Sequence, residues 1–226
     1  MPFNGKDTGV LSDNIPNFFV PAGFVFSIWG IIYVLQFMFA FFQARKEATG
    51  ADYVQRTGPW LIVANGANIA WIFAWHWEQV PLSLAFMLVI FTGLLLQYLR
   101  LGIGLPGKQV SKAEKWFVHV PTSVYLGWIS VAMVANVTAV LVKAGVPSFD
   151  EAAVTWTVLL LIIVGLLGCL MLLTRRDVAY VLVFEWALFG IALKQAATAA
   201  IATTAWISMA AIAAVLVLVA IKARRK

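Results

Sequence analysis

The chain has 226 residues, 62% of them hydrophobic and 12% charged, with a net charge of +6. A water-soluble domain of this size cannot keep that balance at its surface without aggregating, so lipid is the solvent for most of the chain. Lipid offers no hydrogen-bond partners, and runs such as 154–173 are too long and too evenly apolar for barrel strands, so the spanning backbone is helical. The basic residues lie in short loops between apolar runs rather than on one patch, which makes nucleic acid an unexpected partner. The single cysteine, Cys169, sits inside an apolar run, which excludes an intramolecular disulfide and the usual Cys/His zinc patterns.

A polar leader of about 17 residues comes first, and the long apolar segment after it does not read as a separate signal peptide. Apolar length and breakers then predict seven spans, at roughly 24–44, 60–77, 81–99, 117–142, 154–173, 178–197 and 202–221. Pro21, Pro81, Pro121 and Pro147 fall at or near the span ends, where a missing amide donor costs little, and Gly58-Pro59 and Leu105-Pro106-Gly107 punctuate loops. The expected fold is an all-α integral membrane protein, a seven-helix bundle forming one transmembrane domain over 1–226.

If the spans alternate, one side receives Arg45, Lys46, Arg56, Arg100, Lys108, Lys112, Lys115, Arg175, Arg176, Lys222, Arg224, Arg225 and Lys226. The other receives Lys6 and Lys143, with Lys194 near a helix end. The positive-inside rule then predicts an inner (cytoplasmic) membrane protein with its N-terminus outside and its C-terminus in the cytoplasm. The terminal basic run also suits anionic membrane lipid.

Ten tryptophans are present. Trp60, Trp77, Trp116, Trp156 and Trp206 fall near span ends, where indoles settle at the headgroup level, whereas Trp29, Trp71, Trp128 and Trp186 lie within spans and need a partner for the indole N–H. Trp29 and Tyr33 share one face of the first span; Asn68, Trp71 and Trp75 share one face of the second; Tyr125 and Trp128 share one face of the fourth, with Asn136 further along. Aromatic walls with a few amides and a phenol suit a flat hydrophobic small-molecule ligand with sparse polar edges. The same spacing also suits helix packing, with Asn68 and Asn136 as interhelical hydrogen-bonding residues.

The stretch Phe19-Val-Pro-Ala-Gly-Phe-Val-Phe-Ser-Ile-Trp-Gly-Ile-Ile-Tyr33 resembles the Pro-, Phe-, Trp- and Tyr-bearing segment of the TspO/MBR family, the tryptophan-rich sensory or translocator proteins. Asn68-Ile-Ala-Trp71 is similar to that family's Asn-x-x-Trp, and Tyr125-Leu-Gly-Trp128 followed by Asn136 to its Tyr-x-x-Trp-x7-Asn. The resemblance covers about residues 16–142 and implies a TspO-like core with a porphyrin, other tetrapyrrole or sterol-type pocket, and a homodimer. It makes Trp29, Tyr33, Asn68, Trp71, Tyr125 and Trp128 the pocket residues. Family members begin with a helix ahead of the Pro/Trp/Tyr segment; none precedes it from Met1, so either a helix lies upstream or one of the additional C-terminal helices, over 150–226, fills that place. The leader Asn4-Gly-Lys-Asp-Thr-Gly9 resembles that of the longer relatives. Pro121 stands four residues before Tyr125, rather than adjacent to it as in the short members.

Glu185 and Lys194 are intramembrane ionisable candidates in the sixth span. Nine residues apart, they fall on opposite faces and about 13 Å apart along the axis, so they are not partners. Lys194 is expected to snorkel to the outer interface, and Glu185 to be protonated and hydrogen-bonded to a neighbour. His76 is a weak candidate to ligate a haem or a chlorophyll-type magnesium, the commoner role being a solvated interfacial histidine. His119 stands at the opposite end of its own span, so one haem cannot reach both. No hydrolase triad, P-loop or Rossmann fingerprint is present and no catalytic residue is assigned. The leading expectation is a binder that senses or handles a tetrapyrrole. The alternatives are an accessory subunit of a respiratory or photosynthetic membrane complex, packing pigment or lipid, and a small-solute transporter.

Overall fold

A computed structural model of the chain describes residues 4–45 and 51–224; Lys46, Arg225 and Lys226, and the side chain of Arg224, lie outside the described residues. A short helix α1 (Thr8–Asp13) is followed by a 3-10 turn, Gly23–Ser27, that leads into α2 (Ile28–Gln43). Then come α3 (Asp52–Thr57), α4 (Trp60–His76), α5 (Val80–Leu101) and α6 (Lys112–Glu114). A wider π-type turn, Lys115–His119, runs into α7 (Val120–Lys143), and α8 (Glu151–Arg175), α9 (Val178–Lys194) and α10 (Ala199–Arg224) complete the chain.

Each of the seven predicted segments coincides with a helix, but the structure does not show all seven to be spans. Five of the described helical stretches are long and apolar enough to cross a membrane. The other two, α4 and α9, have 17 residues each. At 1.5 Å per residue that is about 25 Å, against a hydrocarbon core of roughly 30 Å. Local chemistry sets the ends. Gly58 (φ 54°) and Pro59 start α4, and Glu78 (φ 58°) turns the chain directly into α5. Asp177 accepts the Tyr180 N–H at 3.1 Å to cap α9, one residue after Arg176 ends α8 in the left-handed region. Pro121 has no N–H to return to the carbonyl four residues back, and the wider turn lies just upstream of it.

α4 and α5 form an antiparallel hairpin; α5 packs on α7, α7 on α9, and α10 closes against α8 and α9. The α7–α9 approach depends on a small residue, since a Cβ at Gly127 would stand 2.9 Å from the Tyr180 carbonyl oxygen. Buried polar groups tie the same helices together. Asp177 accepts from Tyr98 Oη (2.9 Å) and Ser123 Oγ (2.7 Å), and Gln97 Nε2 donates to Thr122 Oγ1 (2.9 Å). The end of the bundle opposite the leader carries Arg56, whose guanidinium meets Glu114 at 2.8 Å and Asp52 at 2.6 Å. Of the tryptophans expected near span ends, Trp77, Trp116, Trp156 and Trp206 are exposed and Trp60 is half-buried; of those expected within spans, Trp29, Trp71 and Trp128 are buried and Trp186 is half-buried.

Candidate functional site

α2 and α4 approach one another through rings. Tyr33, Trp29, Trp71 and Trp75 form one continuous stacked column: Tyr33–Trp29 at 5.7 Å, Trp29–Trp71 at 5.3 Å and Trp71–Trp75 at 5.8 Å between centroids, with interplanar angles of 25°, 28° and 13°. The helical repeat places Trp29 and Tyr33 on one face of α2, and Trp71 and Trp75 on one face of α4, so facing helices supply alternate halves of the column. From α7, Tyr125 and Trp128 meet Trp29 edge-on, each at 6.2 Å, and Phe26 meets Trp128 edge-on at 5.8 Å. Perpendicular rings against a stack are the arrangement the aromatic quadrupole favours.

Against this column lies a cavity of about 30 Å³, bordered by Trp29, Trp71, Trp75, Trp128 and Asn136 and also by Thr8, Ser12, Pro21, Phe26 and Met87. That room holds one or two waters, so a flat ligand enters only by parting the rings. Several polar atoms around the rings are buried without a hydrogen-bond partner: the indole N–H of Trp29, that of Trp128, the Tyr125 hydroxyl and Asn68 Oδ1. Asn68 otherwise hydrogen-bonds the half-exposed Tyr33. Asn136 is committed to its neighbours, accepting from Trp71 Nε1 at 3.4 Å and donating to Ser83 Oγ at 3.0 Å, which joins α4, α5 and α7. Five of the eight predicted residues, Trp29, Trp71, Trp75, Trp128 and Asn136, therefore border the cavity, while Tyr33 and Tyr125 meet Trp29 away from it and Asn68 neighbours Tyr33.

The leader forms the roof. Thr8 and Ser12 of α1 line the cavity, and Trp75 Nε1 reaches the Thr8 carbonyl at 3.5 Å. Asn4 Nδ2 donates to the His76 carbonyl (3.1 Å) and Lys6 meets Glu78 at 2.7 Å, while Asp13 is ion-paired with Lys194 at the end of α9. The hydrogen bond from Lys6 holds the exposed Glu78 carboxyl below its ordinary pKa of 4.5. Behind α1, Asn17 accepts the N–H groups of Phe19 and Val20 and turns the chain towards α9. There the Ala22 N–H donates to the Gly190 carbonyl (3.2 Å) and Trp186 Nε1 to the Val25 carbonyl (3.0 Å). A Cβ on Gly190 would stand 2.1 Å from Val25 Cγ2, so this approach requires glycine. Thr8 lies in the leader and Pro21 in the Pro/Trp/Tyr segment that carry the family resemblance; Ser12 and Met87 carry no sequence signal of their own.

The remaining candidates stand apart from the cavity. Lys194, at the C-terminal end of α9, is ion-paired with Asp13 of α1. Glu185 is partly buried on α9, and its Oε1 has no hydrogen-bond partner, unlike the expected bonded carboxyl. His76 is only 3% exposed, not solvated as the commoner role would have it, and its Nδ1 lies 2.9 Å from the Ile72 carbonyl. His119 lies at the far end beside Glu114 at 3.4 Å, so the two histidines are on opposite sides of the bundle as expected. Among the described residues no group of three or more His, Cys, Asp or Glu side chains is placed to hold a metal ion.

Compared with known proteins, the chain matches the family model described as TSPO-like protein over residues 1–219, from the leader into α10. No curated protein and no solved structure matches it.

Proposed function

From the premise that this chain belongs to the TSPO-like family, we propose that the cavity between α2, α4 and α7 binds a flat hydrophobic ligand, of tetrapyrrole type, for sensing or handling in the cytoplasmic membrane. The observation that carries this reading is the ring column flanked by buried polar atoms without partners. Burying an unpaired donor costs about 1–3 kcal/mol, and three donors and an acceptor around one set of rings are a cost that a ligand with polar edges would relieve. A planar ligand can replace one indole-on-indole contact with two ligand-on-indole contacts, which compensates for opening a cavity of about 30 Å³. The side chains bind and orient; no residue here is assigned a bond-making step.

The test is the absorption spectrum of protein purified in mild detergent, followed by tryptophan quenching with protoporphyrin IX. Saturable quenching that weakens in Trp71→Ala and Tyr33→Phe is expected. Absence of bound pigment and of saturable quenching would refute the reading. A second reading, an accessory subunit of a larger membrane complex, draws on α10, only 17% of whose apolar window is buried within the bundle. A defined larger assembly on native gels, without quenching, would favour it.

A further inference from the structure

Three residues with unpartnered buried polar atoms, Gln36, Asn68 and Tyr125, do not border the cavity but lie deeper than its rings. α2 runs away from the leader, and on it Gln36 follows Trp29 by seven residues and Tyr33 by three, on the same face and about 10 Å deeper than Trp29. α4 and α7 run the opposite way, so Asn68, three residues before Trp71, and Tyr125, three before Trp128, also lie one turn deeper than their tryptophans. Tyr33 is adjacent to both Asn68 and Tyr125. Both polar atoms of the Gln36 amide, Asn68 Oδ1 and the Tyr125 hydroxyl are buried with no hydrogen-bond partner. No Lys, Arg, Asp or Glu stands in α2 between Ile28 and Gln43 or in α4 between Trp60 and His76.

Resting on the reading of the cavity above, we propose that Gln36, Asn68 and Tyr125 form a polar subsite beneath the rings that takes an uncharged donor-acceptor edge of the ligand, a protonated carboxylic acid or a lactam. A primary amide offers an N–H and a carbonyl side by side, and such an edge answers both at once. Asn68 Oδ1 accepts a further proton donor, and the Tyr125 hydroxyl donates to a remaining oxygen. At membrane depth a carboxylate is costly and an acid is not, so the matching form is neutral. The ligand therefore sits with its polar edge toward the middle of the membrane and its rings toward the leader, and Gln36 sets which edge is admitted.

The experiment compares tryptophan quenching by protoporphyrin IX and by its dimethyl ester, which keeps the rings and the acceptors but has lost the acid protons. Wild type is expected to bind the diacid about ten-fold more tightly than the ester, the worth of one good hydrogen bond. Gln36→Leu is expected to bind the two porphyrins alike, because the acid proton then has no amide carbonyl to meet. Gln36→Met, which keeps the length of the side chain and loses only the amide, should behave the same and guards against a leucine-specific packing defect. Equal binding of diacid and ester by wild type, or a preference that survives Gln36→Met, overturns the subsite and leaves the cavity standing. Failure of both porphyrins to quench wild type refutes the cavity reading itself.

Discussion

Replacing Trp71 removes the centre of the ring column and tests the packing without any ligand. Trp71 is 4% exposed, stacks on Trp29 at 5.3 Å and Trp75 at 5.8 Å, and donates to Asn136 at 3.4 Å. Each aromatic pair is worth about 0.5–1.5 kcal/mol beyond its buried area, so the two together hold roughly 1–3 kcal/mol. The long N–H bond to Asn136 belongs at the low end of the usual range, about 0.5 kcal/mol. With the void left behind, Trp71→Ala should cost about 3–5 kcal/mol. Trp71→Phe, which restores a ring without the N–H, should cost only about 0.5–1.5 kcal/mol. Thermal unfolding in detergent measures both. Far-ultraviolet circular dichroism gives an independent reading, because three indoles stacked in series couple their transitions into a paired positive and negative band. That couplet should collapse in Trp71→Ala and Trp71→Phe and survive Trp206→Phe, whose indole is remote from the column. An unchanged couplet in Trp71→Phe, or a loss of stability no larger for alanine than for phenylalanine, would refute the stack as the element joining α2 to α4.

Other perturbations test the supports of the site. Asp177→Ala leaves the hydroxyls of Tyr98 and Ser123 and the Tyr180 N–H without their acceptor and should cost about 3–5 kcal/mol in thermal unfolding; Asp177→Asn keeps the cap and should cost less. Lys194→Met and Lys6→Met each remove one exposed or partly exposed ion pair, a small contribution to overall stability. The double variant should show faster amide hydrogen exchange over 4–13, with little change in overall unfolding. Glu78 carries a pKa lowered by Lys6, so its tie to the leader is fully present above the ordinary value of 4.5 and is lost as pH falls through the depressed value. Exchange over the leader should rise in that acid range in wild type, and lose that step in Glu78→Gln.

What the sequence could reveal depended on distance along the chain. Trp29 with Tyr33, Asn68 with Trp71 and Trp75, and Tyr125 with Trp128 are each set by one helix's repeat, and the structure brings those faces together. Gln36 was equally periodic, but its meaning depends on the atoms opposite it having no partners, which one helix cannot disclose. Asp177 looked like a loop acid before a helix, because the hydroxyls it serves lie 79 and 54 residues away. The roof was illegible for the same reason: the contact of Asp13 with Lys194 joins residues 181 apart. Hydropathy marked where α4 and α9 lie but ran one residue past α4 and three past α9, into Trp77 and Gln195–Ala197, where turns end them.

The anchoring of the leader on α9 has a consequence for the order in which the molecule is made. By the time α7 has left the ribosome, every ring of the column is already in the membrane, and the walls can assemble. The roof is then tied only to α4 and the α4–α5 turn, because Gly190, Lys194 and Gln195, which hold Ala22, Asp13 and Asn17, have yet to be translated. The leader, made before the walls, is thus fully fixed only after them, and a chain cut short after α7 would keep the aromatic walls while leaving their roof without its α9 anchor.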